Sequence, residues 1–142
     1  MSRVINPNAV GKERDQLVKA IVVALRELAQ QSAIGEETQD LAAFVALALE
    51  SIAETIDPSV QAWEKRGYWV KADRFRMEWI WTGQYGKDLR EALNADDWAQ
   101  VALLSAKIGG KLGLVKVPVR HRLGRPWVGA WRKFKTTVTT LI

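Results

Sequence analysis

Residues 36–56 read EETQDLAAFVALALESIAETI, and this stretch decides the fold. Leu41, Val45, Ala48 and Ile52 recur at intervals of three and four, which lines them along one side of a helix. Phe44, Leu49 and Ile56 widen that seam. Glu36, Glu37 and Asp40 crowd the first turn, where the helix dipole favours negative charge. The helix therefore starts at Glu36 or Thr38 and runs to Ile56. Its uninterrupted apolar run, Leu41 to Leu49, falls far short of the roughly 20 residues a membrane span requires. Such a segment has to be covered by other parts of a soluble chain.

Upstream, Leu17, Ile21, Ala24 and Leu28 follow the same 4-3-4 spacing, with Val18, Val22, Val23 and Leu25 broadening the face. Asn6 suits an N-cap and Pro7 the first turn, with Lys12 as a later start beyond Gly11. This helix should end between Gln31 and Gly35, where Gly35 is free to take positive φ. The link to the next helix is short, so the two should form an antiparallel hairpin.

Downstream, Asp57 and Pro58 restart the chain as cap and first-turn proline. The pattern predicts one helix from there to about Trp81 with two apolar faces. Ile56, Val60, Trp63, Gly67, Val70, Met77 and Trp81 form one, and Tyr68, Ala72, Phe75 and Trp79 the other. A helix apolar on two sides is either central to its domain or shared with another molecule. Thr82, Gly83 and Gly86 suggest a break, followed by a short helix over Lys87–Leu93 and a turn over Asn94–Asp97, with Asp96 as the next N-cap. Trp98, Val101, Ser105, Ile108 and Leu112 then mark a helix ending near Gly113. Gly109 and Gly110 lie within its last turns at a cost of about 1 kcal/mol each.

Residues 114–126 change character. Leu114, Val115, Val117 and Val119 favour extended chain, and Pro118, Gly124 and Pro126 interrupt it. Pro126 can open a final helix with Trp127, Trp131, Phe134 and Val138 on one face. The expected fold is all-α: an antiparallel bundle of about four main helices plus a short one, with a basic C-terminal arm or docking helix. Residues 1–113 make the bundle, and 114–142 make the arm on the same domain. A chain of 142 residues accommodates one such core comfortably.

Charge is distributed unevenly. Residues 1–97 hold 12 Lys and Arg against 16 Asp and Glu, whereas residues 98–142 hold nine Lys and Arg and no carboxylate. The net +5 thus combines an acidic body with a strongly basic end. Cysteine is absent, which removes disulfides, thiol nucleophiles and zinc–thiolate sites. The first residues contain no apolar signal-peptide core, so a cytoplasmic location is expected.

Catalytic patterns are weak throughout. His121, the sole histidine, lies among Arg120, Arg122 and Arg125, whose charge should depress its basicity. No serine stands in a nucleophile-elbow context. Glu50 and Glu54 share a helix side but lack the Glu-x-x-His partners of di-iron bundles, and read as a solvated face. The glycines match neither phosphate-loop nor dinucleotide fingerprints. No catalytic residue, metal or cofactor is assigned.

The basic end carries more information. Lys107, Lys111, Lys116, Arg120, Arg122, Arg125, Arg132, Lys133 and Lys135 follow one another without an intervening acid. Arginine forks match phosphate oxygens, and an extended arm can follow a nucleic-acid backbone. Trp127 and Trp131 could stack on bases, although their register with Phe134 favours anchoring the last helix. A second basic and aromatic cluster comprises Lys65, Arg66, Trp69, Lys71, Arg74 and Arg76. The leading expectation is a non-enzymatic module contacting nucleic-acid backbone, independent of sequence. The alternative is a homo-oligomer or adaptor using Tyr68, Trp69, Phe75 and Trp79 as interface. A third option is an anionic membrane surface.

Overall fold

The computed structural model describes residues 7–138, with side chains from 10 to 136. The proposed cap Asn6, the Val138 side chain and the threonine-rich stretch from 139 onward lie outside the described residues. Within them, all regular structure is helical. The elements are α1 (Pro7–Ala29), α2 (Glu36–Glu54), α3 (Ile56–Lys65), α4 (Trp69–Trp79), α5 (Trp81–Asn94), α6 (Trp98–Lys111) and α7 (Ala130–Val138). No described helix is long and apolar enough to cross a membrane.

The centre of the fold is α2, which packs against α1, α5 and α7. Its composition explains this. Leu41, Ala42, Ala43, Val45, Ala46, Ala48, Leu49 and Ile52 are all buried, covering more of the circumference than a single seam, and the many alanines let neighbouring helices approach closely. From α1, Val18, Ile21, Val23 and Ala24 join this core. Leu89, Ala92 and Leu93 enter from α5, Val101, Leu104 and Ile108 from α6, and Phe134 from α7.

At the α1–α2 link, Gly35 adopts φ −127° and ψ −166°, extended backbone rather than the left-handed conformation expected of it. The turn is held instead by Thr38, whose hydroxyl accepts from the Gly35 amide at 3.2 Å and donates to the Ala33 carbonyl at 2.8 Å.

The single helix expected over 57–81 is two helices. Gly67 has φ +79° and ends α3: the Tyr68 amide donates to the Trp63 carbonyl and the Gly67 amide to that of Glu64. This 6→1 and 5→2 pair is a Schellman stop. The chain folds back, so Val60 and Trp63 of one face meet Ala72 and Phe75 of the other, while Tyr68, Val70 and Met77 stay exposed. Ile56, Val60, Ala72 and Phe75 form a separate small core, with Trp63 edge-on to Phe75 at 4.9 Å.

The expected break at Thr82–Gly86 is also absent. These residues lie inside α5, which Ile80, still helical at φ −60°, joins to α4. The glycine serves helix crossing: a Cβ on Gly86 would come within 3.3 Å of the Leu49 Cβ on α2. Asp97, not Asp96, caps α6, accepting from the Gln100 amide at 3.1 Å. Asp96 instead takes φ 55° and accepts from the Trp98 indole at 2.7 Å. Among the described residues there are thus seven helical segments, where four main helices, a short one and a C-terminal arm or docking helix were expected.

Two buried arginines tie the elements together. Arg90 on α5 reaches Glu50 on α2 with Nε at 2.6 Å and a terminal nitrogen at 2.7 Å. Its guanidinium also lies over the Phe134 ring of α7, at 4.4 Å. The hydrogen bond to Glu50 raises the Arg90 pKa above the usual value, and burial opposes it. Glu50 is therefore a structural partner and not part of a solvated face. Arg14 on α1 is buried against Phe75 and Trp79 and donates to Thr55 at 3.2 Å. Burial pulls its pKa down, with Asp15 and Glu78 pushing the other way.

Candidate nucleic-acid interface

The C-terminal cations begin on α6. Burying Val101, Leu104 and Ile108 against the core turns Lys107 and Lys111 to solvent. After α6 the chain runs without regular structure from Leu112 to Gly129. Val115, Val117 and Leu123 lean on the core along this segment, while Lys116, Arg120 and Arg122 are exposed. This alternation is what an extended strand-like chain imposes on its side chains. Arg26 of α1 donates to the Val117 carbonyl at 2.8 Å and holds the segment against the body.

Residues 126–129 form a turn, so the last helix begins at Ala130 and not at Pro126. Its opening is fixed from across the molecule. The Asp40 carboxylate accepts from the Gly129 amide at 3.2 Å and from the Trp131 amide at 2.9 Å. A carboxylate there satisfies free N–H groups and complements the positive end of the helix dipole. Asp40 thus serves α7 as well as its own helix. Trp127 and Phe134 are buried, whereas Arg132, Lys133 and Lys135 are exposed on α7. The Lys135 ammonium sits 5.1 Å from the Trp131 ring centre. Trp131 is half-buried and stacked on Phe134 at 5.6 Å.

All nine cations are exposed. Among the described residues only Arg125 has an ion-pair partner, Glu37 on α2, and it also lies beside the Trp127 ring. The other eight, Lys107, Lys111, Lys116, Arg120, Arg122, Arg132, Lys133 and Lys135, make no salt bridge. Their positive field is directed into solvent.

The α3–α4 hairpin holds the second cluster. Lys65, Arg66, Lys71, Arg74 and Arg76 are all exposed, and the Lys71 ammonium lies 5.2 Å from the Trp63 ring centre. The four aromatic residues named as an interface separate into two pairs. Tyr68 and Trp69 are 55% and 63% exposed at the hairpin tip, while Phe75 is buried and Trp79 half-buried. Val70, Met77 and Ile80 are more than half exposed and were not named as interface residues from the sequence. Val70 and Met77 were placed on an apolar face of an unbroken helix, and Ile80 outside both apolar faces.

His121 is half-buried, and its Nδ1 accepts from the Leu123 amide at 3.2 Å. That bond makes it a local turn residue. Among the described residues no group of three or more His, Asp or Glu is placed to hold a metal. No protein-family model matches the sequence, and no curated protein or solved structure shows significant similarity to it.

Proposed function

We propose that the protein is a non-enzymatic binding module that engages nucleic-acid backbone, independent of sequence, through its basic C-terminal third. In this reading the fold works as an antiparallel helical bundle that carries a basic arm. Its site is cytoplasmic. The observation that supports it is the unpaired state of eight of the nine C-terminal cations among the described residues. An internal role, neutralising the acidic body, would have matched them with carboxylates of this chain. Arg120 and Arg122 make forked phosphate contacts, and Lys107, Lys111 and Lys116 extend the field.

The test is direct. Protein purified without nuclease should carry material absorbing at nucleic-acid wavelengths, and a high-salt wash should remove it. The clean protein should then bind a labelled single-stranded RNA or DNA at low salt and release it as salt rises. Absence of binding at low salt refutes the reading.

A second reading is favoured by a separate observation. Tyr68, Trp69, Val70, Met77 and Ile80 expose large apolar surface on one hairpin, a feature of protein–protein interfaces. In an oligomer or adaptor they would be covered. Light scattering that gives a multimer for the native chain and a monomer for Met77→Lys supports this reading. A monomer in both cases removes it.

A further inference from the structure

Between α1 and α6 lies a groove of about 680 Å³, within the range that holds a small organic ligand. One wall is aliphatic, with Val22, Leu25 and Leu28 of α1; the opposite wall is low, with Ala102, Ala106 and Gly109 of α6. The groove exists because these two helices barely touch. Each packs on a different neighbour, α1 on α2 and α6 on α5.

The glycines of α6 show that internal packing does not require this low wall. At Gly86 on α5 a Cβ would come within 3.3 Å of the Leu49 Cβ, so the crossing with α2 favours glycine. At Gly109 a Cβ would meet nothing within 4 Å. Glycine within a helix costs about 1 kcal/mol relative to alanine, and at this position no contact inside the chain offsets it. The residue keeps the groove open at this point.

The polar residues of the lining include Gln31, Ser32 and Thr38, and two further groups, Arg26 and Ser105, give the occupant its chemistry. Arg26 lines the groove and uses one N–H group on the Val117 carbonyl. It has no ion-pair partner among the described residues, and four of its roughly five N–H groups remain for a planar acceptor. Ser105, on the opposite wall, has a hydroxyl oxygen shielded from solvent without a hydrogen-bond partner. The Arg26 guanidinium, with no carboxylate partner among the described residues, beside a mainly apolar trough is complementary to one negative charge on an apolar chain.

We propose that this groove binds an aliphatic carboxylate, its chain lying along Ala102, Ala106 and Gly109 and its head paired with Arg26. The site is independent of the nucleic-acid reading. Isothermal titration of the full chain with decanoate and with decanol, both below micelle-forming concentrations, tests it. Native protein should bind decanoate about tenfold more tightly than decanol, the ratio expected for one charge-assisted pair. Arg26→Gln should bring the two ligands to equal affinity.

Gly109→Leu should abolish binding of both ligands while circular dichroism and melting temperature hold or rise, since leucine favours the helix and meets open space. Ala102→Leu should do the same without altering a glycine. Gly110→Leu, next to the groove wall but not lining it, should bind as the native protein does. Failure of the native chain to bind decanoate overturns the proposal. So does equal affinity of the native protein for acid and alcohol, or native-like binding by folded Gly109→Leu.

Discussion

Replacing Arg120 and Arg122 together with glutamine tests how the protein holds a polyanion. Both side chains are exposed on irregular chain and pair with no carboxylate among the described residues, so their removal should leave folding intact. Counterion release sets the magnitude. Each phosphate neutralised on a single strand contributes about −0.7 to the slope of log K against log salt. If all eight unpaired cations make contact, the slope is about −5.6, a loss of about 2,000-fold between about 50 and 200 mM salt. The double variant should bring the slope to about −4.2 and the loss over the same interval to about 350-fold. Fluorescence anisotropy of a labelled single strand, titrated at several salt concentrations, reads both. Arg125→Gln is the control: its guanidinium is already engaged by Glu37, so it should change the slope less than either Arg120 or Arg122. A double variant with the native slope refutes the assignment of these arginines to phosphate. A near-zero slope for the native protein refutes the electrostatic mechanism itself.

Four further outcomes follow from the structure. Glu50→Gln leaves the Arg90 charge buried with its bidentate partner weakened; because the Glu50 side chain is 29% exposed, the cost should fall at or below the low end of the 3–5 kcal/mol typical of broken buried pairs, about 2–3 kcal/mol by urea denaturation. Gly67→Ala forces a Cβ into the left-handed region and should cost about 1–2 kcal/mol, read as a lower melting temperature. Gly86→Val crowds Leu49 and should destabilise by about 1–3 kcal/mol, whereas Gly110→Ala, with open space around it, should stabilise by up to about 1 kcal/mol.

The sequence was informative where a single local rule governs. The seam Leu41, Val45, Ala48 and Ile52 and the spacing of Val101 and Ile108 needed only helical periodicity, and those residues are buried. It misled where one residue type serves two purposes. Gly67 fitted an apolar face by spacing alone, yet its φ ends the helix. Gly83 and Gly86 looked like helix breakers but lie within α5, and Gly86 sits where α5 crosses α2 closely. Asp96 and Asp97 are chemically equivalent as caps, and only backbone geometry chooses between them. Pairings across long separations leave no local mark: Arg90 with Glu50 spans 40 positions and Arg14 with Thr55 spans 41. The groove is invisible in sequence for the same reason, since its walls come from helices far apart along the chain. The nine cations were legible as composition, and that eight of them lack a carboxylate partner among the described residues is knowledge that only coordinates provide.

The grip of Asp40 on the first turn of α7 spans 91 positions, and this has a consequence for how the chain assembles. The central helix is synthesised well before α7, so the surface that Trp127 and Phe134 cover stays bare until α7 has been made. Loop closure over such a separation is entropically slow, so nascent chains should pass through a species with that greasy flank of α2 open to water. Any factor that shields newly made protein would find its docking point there.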